Sequence, residues 1–391
     1  MAGSEVYSLH LAKQLNEEHD VVVFHRIENP FLKEYEIIRS SFNGLEKYMI
    51  NIPYLPHYFE GRYINRKVEK IFEDFLNEYK PDIIHFGHLN YLSTNLVKIA
   101  RTSGYPTIFT LHDFWLYCPR GQLINRRNDD LCYNLDLENC ARCLDEYLGD
   151  SVDVRLKIRD RIDYIQNNVV DNVDLFLAPS KFLMEKMIEF GIPSNKITYL
   201  DYGFNFDFFK DYKKIKSEKI RFGYIGRIIP TKGIHLIVDA FNRIENERVE
   251  MRIYGSSSTI SYLKSRATNP NILFLGSYEN WEISKVLAEI DVLIVPSIWF
   301  ENSPLVIHEA AMVKIPIITS NLGGMAEYVK DNINGLLFER NNSNDLKEKI
   351  MVFINNPELI EKFSEKSMEV DSIEEHTSKI LEFYNRIIEE R

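Results

Sequence analysis

The sequence is poor in cysteine, has no long apolar run and carries no surplus of basic charge. Its four cysteines, Cys118, Cys132, Cys140 and Cys143, all fall in one local segment of a 391-residue chain. That excludes a disulfide-stapled scaffold. No stretch approaches the roughly 18 apolar residues that a membrane-spanning helix needs. The opening "MAGSEVYSLHLAKQL" lacks the basic-then-apolar pattern of a signal peptide, so the cytoplasm is the default expectation. Lys and Arg number 47 against 58 Asp and Glu, a formal net charge of -11. Such a balance argues against a general nucleic-acid binder, although a local basic cleft could still hold phosphates. There is also no Asp-x-Asp triplet, which weakens any chemistry in which a metal bridges a diphosphate.

What is present describes an ordinary globular protein. The chain is 45% hydrophobic and 27% charged, and its length suggests two domains. Short β-branched and aromatic runs at 19–24, 81–86, 106–111 and 173–179 read as buried parallel strands, with helical stretches such as 68–79 between them. The theme returns at 219–226, 249–255, 271–276, 291–297, 315–320 and 335–340. Strands alternating with helices imply α/β architecture, with parallel sheets covered on both faces. "VDLFLAPSKFL" (173–183) and "IDVLIVPSIWF" (290–300) share a frame, as two similar domains would. The boundary is expected near 203–218, where periodicity fades into lysine. This gives an N-terminal domain over 1–205, a C-terminal domain over 216–370, and a last helix over 371–391 that crosses back to the first. A helix face at Val6, Leu9, Leu11 and Leu15 follows at once on the Gly-Ser-Glu turn at residue 3. A doubly wound domain should open on a strand, so a strand ahead of Met1 is expected.

The segment "WFENSPLVIHEAAM" (299–312) sets Glu301 before a helix start and Glu309 inside the helix. Ser303 suits the N-cap and Pro304 the first helical position, which leaves the amides of Leu305 and Val306 open to an anion. The helix follows strand 291–297, at the carboxyl edge of the sheet, where open α/β sheets bind ligands. In "YIGRIIPTKGIHLIVDAF" (224–241), Gly226 and Arg227 follow a strand and Lys232 opens the next helix. The two cations could clamp one diphosphate, Arg as a fork and Lys as a point charge, or be solvated loop residues. Taken together, the cations, the helix start and the carboxylates make a nucleotide-sugar site. Charge neutralisation falls to Arg227 and Lys232, with Glu309 accepting from ribose and Glu301 from the sugar ring.

"GRIIPTKGIHLIVDAF", "LIVPSIWFENSPLVIHEAAMVKIPIITSNLGGMAEYV" and "NGLLF" resemble the C-terminal domain of glycosyltransferase family 4, with seven residues between its paired glutamates. "AGSEVYSLHLAKQL", "PDIIHFGH" and "TLHDFW" resemble parts of the first domain, with Ala2 where the family commonly has a glycine. The resemblance implies a GT-B fold, two Rossmann-like domains facing across a cleft, and a retaining, metal-independent enzyme. It implies a donor nucleotide diphosphate sugar on Arg227, Lys232, Ser303, Leu305 and Val306, with Gly3, Ser4 and Gly226 in loops against it. Ribose falls on Glu309, the base near Tyr254 and Gly276, and the sugar hydroxyls on Glu301. His112 falls at the reacting centre.

The acceptor, a glycan, lipid-linked or small molecule, is expected near Asp113, Arg120, His85 and His88, although strand-end histidines are as often packing residues. His308 is expected on the far side of its helix and has no assigned role. The four cations of "VRLKIRDRIDYI" (154–165) either meet an anionic membrane surface or form a solvated helix face. The cysteines, within an insertion over 118–143, either hold a structural zinc as four thiolates or stay reduced. A catalytically impaired sugar-nucleotide-binding module, or an epimerase or phosphorylase of the same fold, stays open as an alternative.

Overall fold

A computed structural model describes residues 3–53, 59–125, 127–148, 153–257 and 260–390. The chain divides into two compact units, Met1–Gly203 with Ile373–Arg391, and Phe204–Ser372.

Among the described residues the first unit holds seven strands: β1 (Val22–Ile27), β2 (Ile37–Phe42), β3 (Leu45–Asn51), β4 (Ile84–Phe86), β5 (Thr107–Thr110), β6 (Leu175–Ala178) and β7 (Ile197–Tyr199). One doubly wound sheet was expected, but the described residues form two. Strands β4-β5-β6-β7 pair in parallel, and β1-β3-β2 form a separate three-stranded sheet. Strand β2 runs antiparallel to β3, with Phe42 opposite Leu45. The reason is local. Asn43 and Gly44 both take positive φ, 52° and 81°, a two-residue turn whose twist suits only antiparallel neighbours. Among the described residues, β1 pairs only with β3 and β4 only with β5.

The Gly3–Leu15 helix buries Tyr7, Leu11, Ala12 and Leu15, so Tyr7 replaces the expected Val6 on the inner face. Its neighbour is the Ile373–Glu389 helix, which buries Ile373, His376, Thr377, Ile380, Tyr384 and Ile387 at helical spacing. Tyr7 Oη lies 2.9 Å from His376 Nε2.

The Val154–Ile165 helix does not present a free cationic face. Arg161 is only 1% exposed and donates to the carbonyl oxygens of Trp115 and, at 3.1 Å, Leu116. Lys157 pairs with Glu60 at 2.8 Å, and Arg155 with Glu138 at 2.8 Å. Of the four cations, only Arg159 is left as the membrane reading requires, so that expectation loses its basis.

The second unit is one parallel sheet of β8 (Ile220–Ile225), β9 (Val249–Tyr254), β10 (Ile272–Gly276), β11 (Val292–Val295), β12 (Ile317–Ser320) and β13 (Gly335–Phe338). Their order is β10-β9-β8-β11-β12-β13. Strands β11 and β12 are buried at every position, which explains their unbroken apolar runs. Chain order reverses between β8 and β11. Their carboxyl ends therefore flank a topological switch point, the place where such sheets take ligands.

Candidate active site

At the switch point, the loop after β11 carries Glu301, which is 6% exposed. Its Oε1 accepts from Lys232 Nζ at 2.5 Å and from Ser297 Oγ at 2.7 Å. Two glycines permit this arrangement. Gly233 takes φ +69°, and a Cβ there would stand 1.9 Å from the Pro296 carbonyl oxygen. The Gly324 amide donates to the Glu301 carbonyl at 2.9 Å, and a Cβ on Gly324 would approach the Asn302 carbonyl oxygen to 1.6 Å. Ser297 and Gly324 were missed from the sequence, although the adjacent glycines of "NLGGM" marked a close backbone approach. Trp299 was missed as well. Its ring lies 5.7 Å from Lys232 Nζ, and its buried Nε1 has no hydrogen-bond partner among the described residues.

The helix after this loop is Leu305–Met312, one residue later than expected. Pro304, not Ser303, is its N-cap, because its ψ of 116° keeps it extended. Ser303 Oγ instead lies 3.5 Å from His308 Nε2. His308 is buried, stacks on Phe204 and meets Tyr328 edge-on, so its role is packing. The amides of Leu305 and Val306 have no acceptor among the described residues, which leaves an anion-binding helix start. Glu309, inside this helix, is half-buried, and burial pushes its carboxyl up to about 7 against the pull of His308.

The two cations are not equivalent. Gly226, at φ +148°, donates its amide to the Tyr254 carbonyl at 3.1 Å. Tyr224 Oη donates to the Arg227 carbonyl at 2.7 Å, which fixes the backbone while the Arg227 side chain is exposed. That guanidinium has no hydrogen bond or ion pair among the described residues, whereas Lys232 is already matched by Glu301. Tyr254 does not present a spare hydroxyl, since its Oη donates to Glu289 at 2.8 Å. Burial, then Glu289, pushes that phenol up to about 12. Gly276 takes φ +83°, and its carbonyl accepts from the Gly255 amide at 2.7 Å.

In the first unit, Gly3 and Ser4 open the first helix, and Ala2 lies outside the described residues. His112 Nδ1 is 2.7 Å from Tyr202 Oη. Burial, then His88, pushes the His112 imidazole down to about 3. His85 has both nitrogens engaged, by Tyr384 Oη and Thr110 Oγ1 at 2.7 Å each, so it ties elements together. His88 Nδ1 accepts from the Asn90 amide at 3.1 Å, and its Nε2 stands 3.5 Å from Asp113 Oδ2. Asp113 also accepts from the Trp115 amide at 2.7 Å, and Arg120 donates to the Cys143 carbonyl at 2.9 Å. Asp113 thus braces its own loop, and Arg120 ties that loop to the Leu137–Leu148 helix.

The four cysteines are free and partly buried. Burial first, then the neighbouring thiols, pushes Cys132 up to about 11 and Cys140 up to about 12. The thiols thus share one neighbourhood. Among the described residues, however, no three His, Cys, Asp or Glu are arranged to hold a metal ion. As they stand, the four do not fit a tetrahedral zinc site.

The chain is similar to known proteins over its whole length. Residues 205–370 match the model of glycosyl transferases group 1, and residues 1–208 match that of Glycosyltransferase Family 4. An uncharacterized glycosyltransferase of Methanocaldococcus jannaschii is 26% identical over 316 residues, 75% of this chain and 81% of that protein. The sucrose-phosphate synthase of Thermosynechococcus elongatus superposes with a TM-score of 0.75 at 18% identity, covering 100% of this chain and 94% of the other. Anabaena HepE, solved with UDP and glucose, gives a TM-score of 0.69 at 16% identity, covering 98% and 96%. The fold is of the GT-B type, and the chain belongs to glycosyltransferase family 4.

Proposed function

We propose that the protein transfers a hexose from a nucleotide diphosphate sugar to a glycan, lipid-linked or small-molecule acceptor, with retention of configuration and without a metal. The observation that carries this reading is the cluster at the switch point of the second unit. There, an Arg227 unpaired and amides of Leu305 and Val306 open among the described residues, with the Lys232–Glu301 pair, all follow β8 and β11. The amides and Arg227 suit a diphosphate, which gains negative charge as it leaves. Lys232 can follow that charge while Ser297 keeps hold of Glu301. The carboxylate then faces a sugar ring that becomes positive in the transition state. Glu309 accepts from ribose hydroxyls. His112 serves the reacting sugar, a reading supported by the resemblance of "TLHDFW" to family 4. No side chain of the second-unit cluster is set up as a free nucleophile, which favours attack from the leaving-group face, with the departing phosphate receiving the acceptor's proton. The HepE complex with UDP and glucose supports a nucleotide-sugar donor.

The reading is tested by a thermal-shift panel of uridine, guanosine and adenosine diphosphates and their sugars, since at equal ligand concentration the tighter ligand stabilises more. Release of nucleoside diphosphate from the stabilising sugar nucleotide is then measured with and without acceptors. Stabilisation without any release would instead support a binding module. Product anomers read by NMR test retention.

A further inference from the structure

We infer that Arg62 and Arg26 form an oxyanion site in the first unit, which takes a phosphate or carboxylate group of the acceptor. The link to an acceptor rests on the proposed function, but the anion site does not.

The site is built where the ends of two strands meet. Arg26 is near the carboxyl end of β1, and Tyr91 is in the loop after β4. The Arg26 guanidinium carbon lies 4.6 Å from the centre of the Tyr91 ring, and that of Arg62 lies 5.6 Å from it. The backbone fixes the mounting of Arg62. Its carbonyl accepts from the Tyr91 amide at 2.9 Å, and the Tyr63 carbonyl accepts from the Thr94 amide at 2.9 Å. Arg62 Nε donates to Asn90 Oδ1 at 3.2 Å, and the Asn90 amide donates to His88 Nδ1. Arg62 is thus stitched to the loop that carries His88, whose Nε2 faces Asp113 beside His112.

Two observations point to a ligand and not to packing alone. Arg62 is half-buried, yet among the described residues its two Nη nitrogens have no hydrogen bond or ion pair. A structural staple looks different: Arg161 spends its terminal nitrogens on the Trp115 and Leu116 carbonyls. The neighbouring carboxylates are also spoken for, Glu60 by Lys157 and Glu28 by Arg26. The charge of Arg62 even opposes that of the buried Arg161. Two guanidiniums held on one ring repel, and a bound oxyanion offsets that repulsion. The Arg26–Glu28 pair does not prevent this, because Glu28 is 49% exposed and such a pair yields to an incoming anion. A guanidinium presents paired N–H groups that match two oxygens of a phosphate or carboxylate. The carboxyl ends of strands are also where α/β sheets take ligands.

The test reads Arg62 directly in the full chain. Arginines are labelled with phenylglyoxal and followed by mass spectrometry, with inorganic pyrophosphate, glucuronate or chloride at matched ionic strength. Arg227 falls in a separate peptide, so occupancy of the donor site is not mistaken for this one. At about ten times its Kd, pyrophosphate or glucuronate should slow Arg62 labelling about tenfold relative to chloride. Protection by pyrophosphate alone assigns a phosphate group, by glucuronate alone a carboxylate, and by both a site that takes either. No protection beyond that of chloride overturns the inference without any variant having to fold. Turnover is then measured with a panel of sugars, sugar phosphates and uronic acids as acceptors. Arg62→Gln should raise KM for the anionic acceptors about tenfold or more, the effect of losing a charge-assisted hydrogen bond, with donor KM within about twofold. Arg62→Lys should restore part of the loss. An Arg62→Gln enzyme unchanged toward anionic acceptors would overturn the acceptor assignment. Protection of Arg62 in a protein that turns over no sugar nucleotide would refute the transferase reading and leave the anion site standing.

Discussion

Lys232 Nζ lies 2.5 Å from Glu301 Oε1, and the pair is closed on its other side by Ser297. Sixty-nine residues separate the two in sequence. The cation expected on a diphosphate and the carboxylate expected on a sugar thus neutralise each other before any ligand arrives. Arg227, in contrast, reaches solvent with its charge unspent.

From this pairing, Glu301→Gln should lower kcat by about 10²–10³-fold, the range for losing one preorganised electrostatic partner. Lys232→Ala should also lower it, and the double variant should cost less than the sum, because each single change already breaks the same pair. Steady-state kinetics with a confirmed donor checks this. Near-normal kcat in Glu301→Gln would remove Glu301 from the site.

Arg227→Ala should behave differently from Lys232→Ala. It should weaken donor binding and slow turnover while leaving stability within about 0.5 kcal/mol, as for an exposed group. Lys232→Ala leaves a buried carboxylate without its ion-pair partner, so its melting temperature should fall. Denaturation without ligand separates the two variants. Equal melting temperatures would contradict the asymmetry.

Glu309 gives a pH signature. Its folded-state value of about 7 lies above that of an exposed carboxyl, so as pH rises the unfolded chain loses its proton first. The ligand-free protein therefore loses stability progressively from about pH 4.5 to pH 7, and the loss is complete above that. Glu309→Gln should melt higher than wild type at pH 8 and equally near pH 4. If ribose binds the carboxylate, sugar-nucleotide binding should also release a proton near pH 7 in wild type only. Calorimetry in buffers of different ionisation enthalpy would measure it, and no proton release would detach Glu309 from ribose.

Gly324→Ala should be strongly disruptive, because its Cβ would overlap the Asn302 carbonyl oxygen. The expected outcome is a loop displaced around Glu301, seen as lost turnover with a modest drop in melting temperature. Wild-type turnover would show that the loop can yield.

Cys132 and Cys140, held protonated, should alkylate more slowly at pH 7 than free cysteine and speed up as pH rises. Mass spectrometry of iodoacetamide labelling, with and without chelator, reads this directly. Labelling that accelerates only after chelation, together with one zinc per chain by elemental analysis, would restore the metal reading.

Local patterns carried much of this protein. The unbroken apolar runs of β11 and β12, the glutamates eight positions apart and the glycine beside Arg227 could be read from the chain, because strand burial and helix starts depend on near neighbours. The Asn43-Gly44 turn was equally local, and its hairpin was overlooked. Partnership was a different matter. That Arg161 is a buried staple for the 115–116 carbonyls, that His85 is spent on Tyr384, and that Tyr202 answers His112 from 90 positions away depend on chain segments meeting in space. A histidine or arginine has the same local signature whether it is solvated, catalytic or structural. Its role is decided by which donors and acceptors the fold brings within about 3 Å, a distance beyond which a hydrogen bond soon fails.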